Sequence, residues 1–117
     1  MKLTRIGILS ATSGWPLTIL EGLGRWAQSR PDVVLMQRQD RSDELHDLLM
    51  WRPDGVLAIT PRDEHAPPLI EAGVPVVNLS NTVPCLPFPQ VLLDDVAVGR
   101  TAAEHFLDRG YTRLMYV

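Results

Sequence analysis

The feature that most constrains the fold of this chain is the regular alternation of short apolar runs with segments of helical period. Apolar residues recur at helical spacing between the runs, as Ile19, Leu20 and Leu23 do in the first such segment. The runs themselves are compact and unbroken, as in strands that are covered on both faces, and they read RIGILSA, VVLMQ, VLAIT and VPVVNLS. This order predicts an α/β fold, a three-layer, doubly wound parallel sheet with helices on both faces.

Local signals predict where the helices begin and end. Pro16 stands at the first position of the first helix, and Ser42 is expected to cap the second. Gly73 and Gly110 follow later helical segments, where a left-handed residue usually ends a helix. Inside the first helix, the glycines at positions 22 and 24 cost roughly 1 kcal/mol each relative to alanine unless close packing requires them.

The last third of the chain predicts two more strands and one more helix. The proline-rich connection NTVPCLPFPQ leads into VLL, a short fifth strand, and the chain closes with RLMYV, a sixth. Asp94 or Asp95 is expected to cap the helix between them, since a carboxylate there also suits the helix dipole. The apolar face of that helix comprises Val98, Ala102, Phe106 and Leu107.

Composition narrows the classes of function. A chain of 117 residues fits one domain, and its net charge of -3 disfavours direct contact of this segment with nucleic-acid phosphates. The single Cys85 excludes an intramolecular disulfide, and the apolar run Ile6–Leu9 is too short for a secretion signal. No stretch approaches the length of a membrane helix. We therefore expect a cytoplasmic protein with no membrane partner.

Signatures of catalysis, metals and cofactors are weak. The three histidines, His46, His65 and His105, lack metal-ligand spacing, and one cysteine does not supply a zinc site. The G-x-G of LEGLGRW lies inside a helical pattern, so it does not indicate a dinucleotide site. Adjacent Asp94 and Asp95 are the one candidate acid/base pair, although a helix cap plus a first-turn charge explains them as well. We expect no enzyme activity, no metal and no cofactor.

The carboxyl edge of a parallel sheet is where such folds bind ligands. The loop SATSGW follows the first strand and offers hydroxyls, backbone amides and an aromatic wall, which suit a sugar. We predict Ser13, Trp15, Asn81 and Asp94 as ligand-binding residues, with hydroxyl contacts, stacking and hydrogen bonds as their roles. The alternative for Trp15 is that it closes the core in front of Pro16.

Three stretches carry a family resemblance. VLLDDVAVGRTAAEHFLDRGYTRLMYV, WRPDGVLAITP and EAGVPVVNLS are similar to segments of the lactose/galactose-repressor regulatory domain, which is related to periplasmic sugar-binding proteins. Phe106 stands where that family usually has leucine. The resemblance covers nearly the whole chain and implies a periplasmic-binding-protein-like type I fold. The positions that fit in register are Val91, Asp94, Asp95, Gly99, Ala102, His105, Gly110, Tyr111 and Arg113.

The start of the chain resembles a smaller group of regulators. RIGILSATSGWPLTILEGLGRWAQ is similar to the start of xylose operon regulators, although Trp15 stands where tyrosine is common. In those proteins the sugar-binding module precedes an AraC-type DNA-binding domain. The resemblance implies that residues 1–117 form part of an N-terminal lobe, with the second lobe and the DNA-binding domain beyond Val117. It implies a transcription regulator of xylose metabolism in which sugar closes two lobes and changes DNA binding.

Two other functions stay open on the sequence. One is a periplasmic solute-binding protein for a sugar, and the other is a small α/β enzyme. For the leading hypothesis, the expected partners are a sugar effector, a second copy in a homodimer, and DNA only through a domain outside this chain. Half of a cleft does not enclose a ligand, so we expect residues 1–117 alone to bind sugars weakly or not at all.

Overall fold

The computed structural model describes all residues, 1–117, and its sheet has four strands. The strands are β1 (Thr4–Leu9), β2 (Val33–Arg38), β3 (Gly55–Ala58) and β4 (Val76–Asn78). All pairs are parallel, in the order β2-β1-β3-β4, with Thr4 opposite Val33 and Ile6 opposite Gly55. The helices are α1 (Pro16–Gln28), α2 (Ser42–Met50), α3 (Ala66–Ala72) and α4 (Asp95–Leu107), and a short 3₁₀ turn (Asp63–His65) precedes α3.

The best-packed core lies between the sheet and the helices α2 and α3. Leu45 and Leu48 of α2 are buried against Leu9 of β1, together with Leu69 of α3. Gly7 of β1 lets α2 come close, because a Cβ placed there would lie 3.0 Å from Leu48 Cδ1. The apolar periodicity of both helices is thereby explained by burial against one face of the sheet.

Helix α1 covers the opposite face. The chain steps from β1 to β2 in one direction and through β3 to β4 in the other, so right-handed crossovers place α1 on one face and α2 and α3 on the other. Ile8, 3% exposed, alternates with Leu9 and stays outside the α2–α3 cluster. The predicted three-layer, doubly wound α/β architecture is confirmed.

The helix boundaries follow most of the sequence signals. Pro16 opens α1, and Gly73 ends α3 with a φ of 66°. Gly110 follows α4 with a φ of 84°, where the Tyr111 N–H donates to the Phe106 carbonyl at 3.0 Å. The predicted cap at Ser42 is wrong, because α2 begins at Ser42 itself and the extended residue before it makes no side-chain cap.

The end of the chain departs from the prediction. VLL and RLMYV are not strands, because the outer edge of β4 forms only one isolated bridge, Asn78 to Gln90, and no strand lies beside 113–117. Helix α4 has no buried residue, and its predicted apolar face is open, with Val98 58% and Phe106 46% exposed. The radius of gyration is 17.6 Å, whereas a compact domain of this length has about 13 Å.

Three further findings bear on function. None of the helices has the length and apolar character needed to cross a lipid bilayer. No three His, Cys, Asp or Glu side chains are grouped so that they could hold a metal ion. Cys85 is exposed, with a φ of 64°, in the connection that leads to α4.

Candidate ligand-binding site

The loops after β1, β2 and β3 are joined at the carboxyl edge of the sheet. The Ser10 N–H donates to the Arg38 carbonyl at 3.0 Å, and the Ala11 N–H donates to Thr60 Oγ1 at 2.7 Å. Ser10 is fully buried, so its backbone anchors the first loop to the core. These bonds fix the start of the loop that carries Trp15.

The loop after β3 is held by a buried histidine. His65 is 1% exposed, and its Nδ1 accepts a hydrogen bond from the Arg62 N–H at 3.0 Å. Burial lowers the pKa of His65 below its ordinary value of 6.5, because desolvation disfavours the charged ring. Glu64 and Asp40 oppose this shift, and Arg62 adds to it. The ring is therefore a neutral acceptor that shapes this edge of the sheet.

Trp15 ends the first loop and stands directly before Pro16. Gly14 precedes it with a φ of 74°, a backbone conformation that favours glycine, and turns the chain into α1. The Trp15 side chain is 52% exposed, so it does not close the core. One side of the indole is left for a ligand, in the position where the sequence predicted an aromatic wall.

The loop after β4 is ordered by side chains that bond to the backbone. Asn78 Oδ1 accepts a hydrogen bond from the Ser80 N–H at 2.9 Å, which makes a tight local turn. The Ser80 and Thr82 hydroxyl oxygens lie 2.8 Å apart, and the Thr82 N–H donates to Ser80 Oγ at 3.1 Å. Asn81 lies between these two residues and is exposed. The turn therefore holds its amide at the edge of the sheet.

The two adjacent aspartates have different roles. Asp94 Oδ1 accepts a hydrogen bond from the Ala97 N–H at 3.0 Å, so Asp94 is the N-cap of α4. Asp95 Oδ2 lies 3.4 Å from Asn81 Nδ2 and accepts its hydrogen bond. The two carboxylates thus bond to different partners, Asp94 to the backbone of α4 and Asp95 to the loop after β4.

The end of the first loop, the loop after β4 and the segment that leads into α4 line a small cavity of about 190 Å³ at the carboxyl edge. Trp15 contributes an aromatic surface to it, and Asn81 and Asp95 contribute amide and carboxylate groups. Such a set can stack an apolar sugar face and accept or donate hydrogen bonds to hydroxyls. The full lining is Trp15, Leu79, Ser80, Asn81, Thr82, Leu92, Leu93 and Asp95.

The structure brings together two of the four ligand-binding residues that the sequence predicted. Trp15 and Asn81 line the cavity together, whereas Ser13 is exposed and does not line it. Asp94 faces a separate groove along α4, and its neighbour Asp95 lines the cavity instead. The ligand roles of all four stay predictions.

Asp95, Ser80 and Thr82 line the cavity but were not among the four predicted ligand-binding residues. The signals were present, since Ser80, Asn81 and Thr82 directly follow an apolar strand pattern and two aspartates precede a helix. Which aspartate caps the helix depends on backbone dihedrals, and Asp94 adopts the non-helical cap conformation here (φ −79°, ψ 83°).

A second polar hollow of about 420 Å³ lies at the same edge, beyond β2. It has no aromatic residue, and Arg38 there is already 3.8 Å from the Glu44 carboxylate. It is less suited to a sugar than the cavity beside Trp15, because a paired guanidinium has fewer free donors.

The fold is shared with a protein of known structure. The chain is similar in structure to the periplasmic ribose ABC transporter protein from Conexibacter woesei, with a TM-score of 0.65 and 21% identity. The match covers 98% of this chain and 41% of that one, so these residues span less than half the length of that protein. The chain thus has the architecture of a periplasmic-binding-protein-like type I lobe. A scan against models of protein families finds no match, and neither does a search of curated proteins.

Proposed function

We propose that this chain forms one wall of a sugar-binding cleft in a cytoplasmic transcription regulator of xylose metabolism. The observation that carries the proposal is the cavity that brings Trp15, Asn81 and Asp95 together at the carboxyl edge of the sheet. In this proposal Trp15 stacks on the sugar ring, and Asn81 and Asp95 bind its hydroxyls. The chain acts as a binding module and not as an enzyme.

The chemistry of the cavity supports a neutral, hydroxyl-rich ligand. The Ser80 and Thr82 hydroxyls bond to each other, and Asn81 Nδ2 donates to Asp95 Oδ2. Asn81 keeps a second N–H and its Oδ1, and Asp95 keeps its Oδ1, for bonds to a ligand. One carboxylate and one amide suit a sugar better than an anion, because the carboxylate would repel a phosphate or a carboxylate ligand. Similarity to a protein described as a ribose transporter supports the same class of ligand.

The regulatory part of the proposal rests on sequence. VLLDDVAVGRTAAEHFLDRGYTRLMYV resembles the lactose/galactose-repressor regulatory domain, and residues 5–28 resemble the start of xylose operon regulators. In such a sensor, sugar favours the closed arrangement of two lobes, and that change reaches an AraC-type DNA-binding domain outside this chain.

A second candidate is a solute-binding protein of the periplasm, which the structural similarity to a periplasmic ribose protein favours. The two candidates differ in what the gene encodes after residue 117. A regulator requires a second lobe followed by a DNA-binding domain with helix-turn-helix patterns. A solute-binding protein requires a second lobe alone.

The sugar site is tested by NMR titration of the ¹⁵N-labelled chain with xylose and ribose. We expect dissociation constants in the millimolar range, because in this proposal the chain supplies only one wall of the cleft. Shifts should concentrate on the Trp15 indole and on the backbone amides of Asn81 and Asp95. Trp15→Ala should weaken binding about fivefold to tenfold, since it removes the stacking surface.

Trp26→Ala is the matched control. Trp26 lies near the end of α1 and does not line the cavity. At 43% exposed, it resembles Trp15 in its accessibility. It should leave both the affinity and the pattern of shifts unchanged. Equal loss in both variants, or no shifts near Trp15 with either sugar, contradicts the proposed site. A micromolar affinity contradicts the idea that this chain supplies only one wall.

A further inference from the structure

A second, apolar cavity adjoins the polar one. It has a volume of about 560 Å³ and lies between the start of α1 and residues 91–93. Six of its seven lining residues are apolar, and the exception is Thr18. The two cavities share one wall, which comprises Trp15, Leu79, Leu92 and Leu93. The structure therefore places a polar depression and an apolar one side by side, with these four residues between them.

The fold explains why this surface is open. Helix α1 is the one helix on its face of the sheet, and Val91 and Leu93 beyond β4 are left 64% and 80% exposed. Apolar surface of this kind is unfavourable in water, so a ligand that reaches it gains free energy by covering it. Trp15 at the junction offers a flat surface to both halves of such a ligand.

We propose that the site takes an amphipathic sugar derivative, a glycoside with an aryl group, in preference to a free monosaccharide. This inference rests on the proposed sugar site and adds the ligand class. The sugar ring occupies the polar end beside Asn81 and Asp95. The aryl group lies along the shared wall towards Ile19 and Val91. Ligand sites commonly combine a mostly apolar lining with a few fixed polar groups, and the joined cavities do so.

The volume favours a small apolar group over a protein segment. About 560 Å³ lies within the ordinary range for small-molecule sites. The polar cavity alone, at about 190 Å³, is smaller than that range. A ligand that occupies both cavities covers the apolar lining as well as the polar one. A free pentose in the polar cavity leaves the larger, apolar cavity exposed.

The test compares xylose, methyl β-xyloside and phenyl β-xyloside by NMR titration of the whole chain, with phenol titrated separately as a probe for the aryl group alone. We expect phenyl β-xyloside to bind about tenfold more tightly than the other two, because the phenyl ring buries apolar area. It should also shift the Ile19 and Val91 amides, which xylose leaves unchanged. Val91→Asp should reduce the ratio of the phenyl β-xyloside and xylose affinities towards one.

Val96→Asp is the matched control, since Val96 is 72% exposed in α4 and lines neither cavity. It should preserve the wild-type ratio. If xylose binds and the phenyl group adds nothing, the inference is overturned and the proposed function stands. If phenol binds as well as phenyl β-xyloside and Asn81 and Asp95 do not shift, both are overturned. Absence of shifts with every ligand also overturns both.

Discussion

At the scale of single residues, we expect the buried side chain of His65 to make the free energy of unfolding depend on pH. Its ring is 1% exposed and accepts the Arg62 N–H, and its Nε2 has no hydrogen-bond partner. Protonation would place a charge in this buried position beside Arg62, while Glu64 and Asp40 compensate only in part. The folded protein therefore binds this proton less readily than the unfolded chain does.

This predicts a loss of stability on acidification. The pKa of His65 is lowered in the fold from 6.5, so the free energy of unfolding should be constant above that pH and fall as pH drops below it. The decline should end once pH passes the lowered pKa, where both states carry the proton. Urea unfolding at intervals from pH 8 to pH 5 measures this slope.

His65→Asn retains an acceptor near Nδ1 and removes the titrating ring, so it should flatten the slope even if it lowers stability overall. His46→Asn is the control, because His46 is exposed and its loss should keep the wild-type slope. An unchanged slope in His65→Asn would show that another group causes the pH dependence.

At the scale of elements, two glycines have opposite roles. Gly7 of β1 faces Leu48, and a Cβ at that position would lie 3.0 to 3.1 Å from three atoms of a fully buried side chain. Gly22 of α1 has no atom within 4 Å of the corresponding position. Close packing therefore requires glycine in the strand and does not require it in the helix.

Gly7→Ala should lower the free energy of unfolding by about 1–3 kcal/mol, because the buried Leu48 side chain has to shift in a filled core. Gly22→Ala should raise it by about 1 kcal/mol, since alanine is the better helix former and meets no neighbour. Urea midpoints of the two variants measure both effects. Similar shifts of the same sign would contradict the packing of α2 on β1.

The strands and helices also show which parts of the structure could be predicted from the sequence. The four strands and their helices were predicted, because burial on both faces leaves continuous apolar runs in RIGILSA and VLAIT. VLL and RLMYV have the same apolar character, yet they are not strands, since pairing needs a neighbouring backbone that apolar character alone does not supply. The cavity beside Trp15 lies at the edge of the sheet where the sequence predicted a ligand site, while the division of roles between Asp94 and Asp95 required dihedral angles.

At the scale of the molecule, α4 and residues 111–117 extend away from the body. Val98 and Phe106 are exposed on the helix, and Leu114, Met115 and Tyr116 follow it without cover. The longest dimension is 57 Å and the shortest 22 Å. A surface of this kind favours association, so we propose that the chain forms a homodimer.

Sedimentation velocity tests this proposal over a range of concentrations. We expect the 13.1 kDa chain to associate reversibly to twice its mass as its concentration rises. Val98→Asp combined with Phe106→Asp should shift the equilibrium to the monomer by removing the apolar contact. Arg100→Asp changes the net charge by the same amount on an exposed position and should leave association intact. Monomer at every concentration contradicts a homodimer.

The Pro-rich connection before α4 has a practical consequence for following ligand-dependent motion. Its Cys85 is the one thiol in the chain, and it is exposed. A maleimide fluorophore will therefore attach at a single known position without an engineered cysteine. The dye would stand in the segment that joins the loop after β4 to the cap of α4, and its anisotropy would report on that joint as ligand is added.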